Sequence, residues 1–347
     1  MTPPRPFWQQ TEDWHTAGEP FRIVQDLPPD SLDPNLSVPE QRLKIINTPS
    51  HPLDLLRQSL CHEPRGHADM YGGFITPPND SGAHFGVLFW HKDGFSTACG
   101  HGTIALGHWA IARGIAKPKP GSMVDVVVDV PSGRVVARAT FDDAGEVLYI
   151  DFINVTSHQL SRGNEVSVTM AEKRIQLSMD LSFAGAVYAC IDAESLGLRI
   201  EPANHQAFVD LARQVKAQYS DFRYQGKYEI YGVCFYEERT PSEDAAAVHQ
   251  RNVVVFADGQ IDRSPCGSGT CARLAVLLAQ GRVSKEKGLI HESIVGSQFE
   301  AHVVEMIPNE GDFPACIPRV RGTARLVGKM NFFIDPNDPI YPGFVLR

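Results

Sequence analysis

The sequence predicts a mixed α/β (α+β) fold of two similar halves, each a barrel-like sheet around one buried helix. Three observations carry that expectation. Two helical patterns, at 102–113 and 269–280, are apolar on nearly every side, and such a helix must be wrapped by other structure. Runs rich in β-branched and aromatic residues accompany each of them. The same short string, Cys-Gly-x-Gly-Thr, opens both helical patterns, at Cys99 and again at Cys266, about half the chain apart.

Taken in order, the first ~10 residues are proline-rich and read as a loose end. Leu27-Pro-Pro-Asp, Thr76-Pro-Pro-Asn and Lys117-Pro-Lys-Pro-Gly read as turns or loops. Residues 87–90, 123–130, 135–141 and 252–256 have strand composition. The pattern over 207–219 sets Phe208, Leu211, Ala212 and Val215 on one face of a surface helix. In the first buried helix the apolar residues are Ile104, Leu106, Trp109 and Ile111, and in the second Leu274, Val276, Leu277 and Leu278. Each pattern stops at a glycine, Gly114 or Gly281, fifteen residues after its cysteine. Glycine is the expected residue just past a helix end.

The chain has 347 residues, which suits two domains with a core in each. Lys plus Arg is 32 against 41 for Asp plus Glu, a formal charge of −9. That balance, with no basic block, argues against nucleic acid as a partner, since phosphate binding needs clustered cations. The longest apolar stretches, such as 274–279, fall far short of the roughly 20 residues that span a bilayer, so no membrane partner is expected. Seven cysteines, an odd number, and no apolar leader segment favour free thiols and a cytoplasmic location. Cys61, Cys190, Cys234, Cys271 and Cys316 are expected in the core, the usual place of free cysteine.

Cys99 and Cys266 differ from these because each sits at a helix entry beside glycines. Unpaired amides and the positive dipole end bind anions there and favour thiolate. The amides of Gly100, His101, Gly267 and Ser268 are therefore candidates for holding a carboxylate. A thiolate that takes a proton from carbon and a thiol that returns one to the opposite face would invert a stereocentre by general acid–base catalysis. Fixed amides would stabilise the enolate-like charge that builds meanwhile. Other readings of the same residues are core packing and metal binding by Cys99-x-His101 or Cys266-x4-Cys271, although no further His or Cys stands near the second pair. A phosphate cradle lacks the lysine it needs.

Several strings together resemble the proline racemase family, which includes proline racemases, hydroxyproline 2-epimerases and trans-3-hydroxy-L-proline dehydratases. They are Asp13-Trp-His-Thr-Ala-Gly-Glu-Pro20, Glu63-Pro-Arg-Gly-His-Ala-Asp-Met70, Cys99-Gly-His-Gly-Thr-Ile-Ala105, Leu181-Ser-Phe-Ala-Gly-Ala-Val-Tyr188, Asp262-Arg-Ser-Pro-Cys-Gly-Ser-Gly-Thr270, Glu292-Ser-Ile-Val-Gly296 and Ile334-Asp-Pro-Asn-Asp-Pro. The resemblance implies a diaminopimelate-epimerase-like fold of two pseudo-symmetric domains that clasp one pyrrolidine amino acid. The first domain, 1–160 plus 331–347, would carry Cys99, and the second, 161–330, Cys266.

It further implies no cofactor, neither PLP nor metal, with Cys99 and Cys266 as the acid/base pair. Asp262 and His101 would hold the ring nitrogen, Gly100, His101, Gly267 and Ser268 the carboxylate, and Tyr71 and Phe256 would wall the ring. The residues alone leave other roles open: a turn or cap for Asp262, a loop histidine for His101 and strand core for Phe256. Dehydratases of the family typically carry threonine at the Cys266 position, so the retained thiol favours inversion. Tyr71, where proline racemases usually carry Phe, points to a hydroxyproline, whereas apolar Phe256 points to proline. The expected function is thus racemisation or epimerisation of proline or a hydroxyproline. The alternatives are dehydration of trans-3-hydroxy-L-proline, or a non-enzymatic proline-binding or redox thiol protein. The expected partner is a small-molecule substrate, with a homodimer left open.

Overall fold

The protein is described here by a computed structural model, which covers residues 5–118, 120–239 and 247–346. It divides into two units, 1–16 with 20–148 and 323–347, and 17–19 with 149–322. These divisions differ from the expected 160 and 331: the chain passes to the second unit at 149 and returns at 323, ahead of the last strand. The expected loose end is shorter than the first ~10 residues, because a strand begins at Phe7; residues 1–4 lie outside the described residues.

The first unit contains β1 (Phe7–Thr16), β2 (Glu19–Val24), α1 (Val38–Ile46), α2 (Pro52–Cys61), β3 (Tyr71–Thr76), β4 (Phe85–His91), β5 (Gly94–Phe95), α3 (Gly100–Ala112), β6 (Met123–Val130) and β7 (Gly133–Phe141). β8 (Val147–Ile153) begins at the division. The second unit continues with β9 (Ser157–Met170), β10 (Lys173–Phe183), β11 (Val187–Asp192), α4 (His205–Gln218), β12 (Ile230–Glu238), β13 (Ala247–Phe256), β14 (Gln260–Ile261), α5 (Gly267–Ala279), β15 (Gly288–Glu292), β16 (Gln298–Glu310) and β17 (Phe313–Gly322). The last strand, β18 (Ala324–Ile334), rejoins the first unit by pairing antiparallel with β1, Phe7 opposite Ile334.

In the first unit the pairing order is β18-β1-β2-β3-β4-β6-β7. Helix α3 packs against β1 and β18 at one end of that order and β6 and β7 at the other. The sheet therefore curls around it. In the second unit the pairing closes on itself. It runs β9-β10-β11-β12-β13-β15-β16-β17 and returns to β9, where Cys316 lies opposite Ser157. Helix α5 packs against the strands of this eight-membered ring, and α4 lies against β9, β12 and β13.

The wrapping explains the composition of the two central helices. Every residue from Gly100 to Ala110 in α3, and from Gly267 to Leu277 in α5, is buried. Each large apolar side chain so enclosed contributes about 1.5–3 kcal/mol, and neither helix has a wet face to keep polar. Both end alike. Gly114 and Gly281 each adopt φ 69°, and the next residue's amide reaches back to the carbonyl of Ala110 or Leu277 at 2.9 Å. A side chain would strain that left-handed turn. No helix among the described residues is long and apolar enough to cross a membrane.

Candidate active site

Each unit gathers its own group of functional candidates at the entrance of its central helix. In the first, Cys99 is the N-cap of α3 in extended conformation, and its sulfur accepts the Gly102 amide at 3.2 Å. The first intrahelical bond runs from the Thr103 amide to the Cys99 carbonyl at 3.1 Å, and the Thr103 hydroxyl shares that acceptor at 2.8 Å. The amides of Gly100 and His101 lie ahead of that bond, where helix geometry provides no acceptor. Both imidazole nitrogens of His101 are 3.6 Å from Sγ of Cys99. Burial pushes the His101 pKa down to about 3, against a smaller upward pull from a hydrogen bond to the Pro20 backbone. The ring is thus neutral near pH 7, able to accept a hydrogen bond from a protonated amine.

Tyr71 opens β3 and its ring meets His101 edge-on, with centroids 5.1 Å apart. Its hydroxyl forms a short hydrogen bond with the Ser96 hydroxyl. Space for the sulfur depends on Gly102: a Cβ there would fall 2.7 Å from Sγ and 2.5 Å from the Phe21 ring.

The second group is built on the same plan with one backbone difference. Cys266 caps α5, and its sulfur accepts the Gly269 amide at 3.3 Å. Its φ is +62°, however, where Cys99 has −155°. A non-glycine residue in that region carries strain that its surroundings must hold. The holding bonds are present. The Cys266 amide donates to the Ser264 hydroxyl at 3.1 Å, and that hydroxyl donates to Asp262 at 2.6 Å. The Ser264 amide donates to the same carboxylate oxygen at 2.8 Å. Asn252 and the Thr270 hydroxyl both donate to the Pro265 carbonyl, at 2.8 and 2.9 Å. The amides of Gly267 and Ser268 precede the first intrahelical bond, from Thr270 to Cys266 at 2.7 Å. The Ser268 hydroxyl is buried without a hydrogen-bond partner among the described residues.

Electrostatics correct one expectation. The helix entry alone favours thiolate, but burial pushes the Cys266 thiol well up, and the charge of neighbouring Asp262 raises it further. The Gly269 amide pulls the other way without prevailing. Asp262 itself is raised to about 6 by burial, which outweighs its bonds from Ser264 and Cys266. Cys266 is therefore a protonated donor in this state and Asp262 an anion near pH 7.

Phe256, at the end of β13, stacks on Tyr231 with centroids 5.9 Å apart. Thus Tyr71, Cys99, Gly100 and His101 come together in the first unit, and Phe256, Asp262, Cys266, Gly267 and Ser268 in the second. Cys61, Cys190, Cys234, Cys271 and Cys316 are buried free thiols. Among the described residues no three His, Cys, Asp or Glu side chains cluster as metal ligands do.

Sequence reading assigned nothing to three further residues: Ser96, Ser264 and Tyr188. The Asp-x-Ser spacing at 262–264 is a turn signal that could have suggested Ser264. Ser96 and Tyr188 act across strands and leave no local signature.

The proline racemase family profile matches residues 12–345. The chain belongs to the proline racemase family. It is 36% identical over 343 residues to a trans-3-hydroxy-L-proline dehydratase of Bacillus cereus, covering 97% of each chain. To a proline racemase of Clostridioides difficile it is 35% identical over 346 residues, covering 97% of this chain and 98% of that one. A solved hydroxyproline epimerase of Agrobacterium vitis, with bound trans-4-hydroxy-L-proline, superposes with a TM-score of 0.85 at 25% identity, covering 98% of this chain and 96% of that one. The relatives named racemase and epimerase are isomerases, and the one named dehydratase is a lyase of the same family.

Proposed function

We propose that this chain is a cofactor-independent racemase or epimerase that inverts Cα of proline or a hydroxyproline. Cys99 and Cys266 are its acid and base. The observation that carries the reading is the duplicated helix entry, a buried cysteine whose sulfur accepts the third helical amide in each unit. In one direction Cys99 removes the Cα proton and the protonated Cys266 delivers its own to the other face. In the reverse direction the roles exchange. Asp262 and neutral His101 bind the ring ammonium. The amides of Gly100, His101, Gly267 and Ser268 hold the carboxylate while charge spreads onto it. Tyr71 and Phe256 wall the ring.

The competing reading within the family is dehydration of trans-3-hydroxy-L-proline, favoured by the name of the Bacillus cereus relative. There the Cα proton is lost and the C3 hydroxyl leaves as water, giving pyrroline-2-carboxylate. Against it stands Cys266, since a thiol is a far better proton donor than the threonine that the family resemblance associates with dehydratases.

Incubation with L-proline, trans-4-hydroxy-L-proline and trans-3-hydroxy-L-proline in D2O separates the two. Inversion gives Cα-deuterated product of opposite configuration from one of the three. Pyrroline-2-carboxylate from the 3-hydroxy compound, without deuterated epimer, makes the chain a dehydratase instead.

A further inference from the structure

Tyr188 lies in β11, only 1% exposed, with its hydroxyl 4.0 Å from Sγ of Cys266. Its ring is held on two sides. Its partner on the neighbouring strand β12 is Gly232, where a Cβ would stand 3.1 Å from Cδ1 and Cε1 of the ring. The Tyr231 ring meets it edge-on at 6.0 Å. A buried phenol hydroxyl requires a hydrogen-bond partner, and the Cys266 sulfur stands in reach of it.

We propose that Tyr188 is a positioning residue for Cys266, its hydroxyl turning to donate to the sulfur whenever that sulfur is deprotonated. The inference rests on the reading that Cys266 exchanges a proton with substrate. While the thiol holds its proton, the S–H donates toward the phenol oxygen. Once the proton has gone to carbon, the sulfur is a buried anion. Its donors are then the Gly269 amide and the Tyr188 hydroxyl. A small rotation about Cα–Cβ of Cys266 shortens the 4.0 Å gap, as catalytic contacts shorten when charge develops. Other titratable groups around the sulfur are Asp262 with Arg263 beside it, and Tyr231 and Cys234 on β12. Asp262 opposes the thiolate, and the Tyr188 contact favours it. Tyr188 thereby offsets the carboxylate that the ring nitrogen needs, and lets one sulfur serve as both acid and base.

Iodoacetamide alkylation of the full chain, followed residue by residue by mass spectrometry, tests this without requiring turnover. Below the thiol midpoint the rate tracks the thiolate fraction, partly compensated by the greater nucleophilicity of a more basic thiolate. Tyr188→Phe should slow alkylation of Cys266 about three- to tenfold there and leave Cys99 unchanged. Replacement of Tyr188 by 3-fluorotyrosine, a stronger donor of nearly equal size, should speed Cys266 alkylation instead. Opposite shifts from the two replacements are not produced by a packing role. Equal Cys266 rates in all three proteins overturn the inference, as do shifts in the same direction from both replacements. Shifted rates in a protein that turns over none of the three substrates would instead discard the proposed function while leaving the Tyr188–Cys266 coupling in place.

Discussion

A thiol at a helix entrance stands between two opposed influences. The third amide of the helix, at 3.2 Å from Cys99 and 3.3 Å from Cys266, favours the anion. Burial disfavours it, and at Cys266 so does the Asp262 carboxylate, with the outcome that the thiol is pushed well up. The second influence keeps the thiol protonated at the cost of acid strength, and the first populates the thiolate at the cost of basicity, so a group that must serve as both needs the two in balance. Serine in place of either cysteine keeps the size and loses the acidity. Cys99→Ser and Cys266→Ser should each lower kcat for inversion by about 10³-fold or more, at the upper end of what general acid–base groups contribute, with little change in melting temperature. Near-normal turnover in either variant would end the two-thiol scheme. The residue-level candidates were readable because their motif recurs. Ser264 left only the local Asp-x-Ser turn spacing, and Tyr188 was not readable, because it is defined by what it reaches across the fold.

At the level of elements, the two central helices share a design but not the same tolerance. Glycine costs a helix about 1 kcal/mol relative to alanine, so Gly102 and Gly269 need a reason to persist inside α3 and α5. The reason is the sulfur. At Gly269 an added Cβ would stand 3.0 Å from both Sγ of Cys266 and Val254, a crowding that small shifts absorb. At Gly102 it would overlap Sγ of Cys99 at 2.7 Å and the Phe21 ring at 2.5 Å, and Phe21 is wholly buried. Gly269→Ala should therefore leave the melting temperature nearly unchanged and cost about tenfold in kcat. Gly102→Ala should lower the melting temperature and cost about a hundredfold, because misplacement of a reacting group by about 1 Å has effects of that size. Thermal melts and kinetics of the two variants side by side check the ranking. Equal effects would mean that the packing of Phe21 does not fix the Cys99 sulfur.

Much of the molecule's plan was legible because it depends on composition. A helix without a polar face demands a wrapper, and its repetition shows that there are two. Closure of the second ring was not legible, since it joins Ser157 to Cys316 and the register of such distant strands has no local signal. Nor were the boundaries: β8 and β17 pair through Ile150–Ile153 and draw the second unit's start forward from the expected 160.

The same division sorts the buried ionisable groups unevenly, and this sets how each unit responds to acid. Burial lowers His101 to about 3 and His108 to about 4 in the first unit, and His51 and His62 in the same direction. The second unit holds His291, lowered to about 3, and His158, lowered by burial as well. Its Asp262 is raised to about 6 and acts oppositely. A histidine whose folded pKa lies below its unfolded value of 6.5 takes up its proton more readily on unfolding. Its contribution is present above 6.5 and is lost as pH falls toward the folded value. A carboxylate raised from 3.8 to about 6 binds its proton in the folded state first, so stability rises as pH falls through that window. Each fully titrating proton changes stability by about 1.4 kcal/mol per pH unit. Between about pH 6 and pH 4 the first unit therefore loses the effect of at least two protons, while in the second His291 and Asp262 nearly cancel. Hydrogen exchange corrected for intrinsic rate should show the amides of α3 losing protection between about pH 6 and pH 4 well before those of α5. His108→Gln, which removes one of the titrating groups, should make that loss shallower. Equal losses in α3 and α5 would contradict the uneven distribution of neutral buried histidines on which the argument stands.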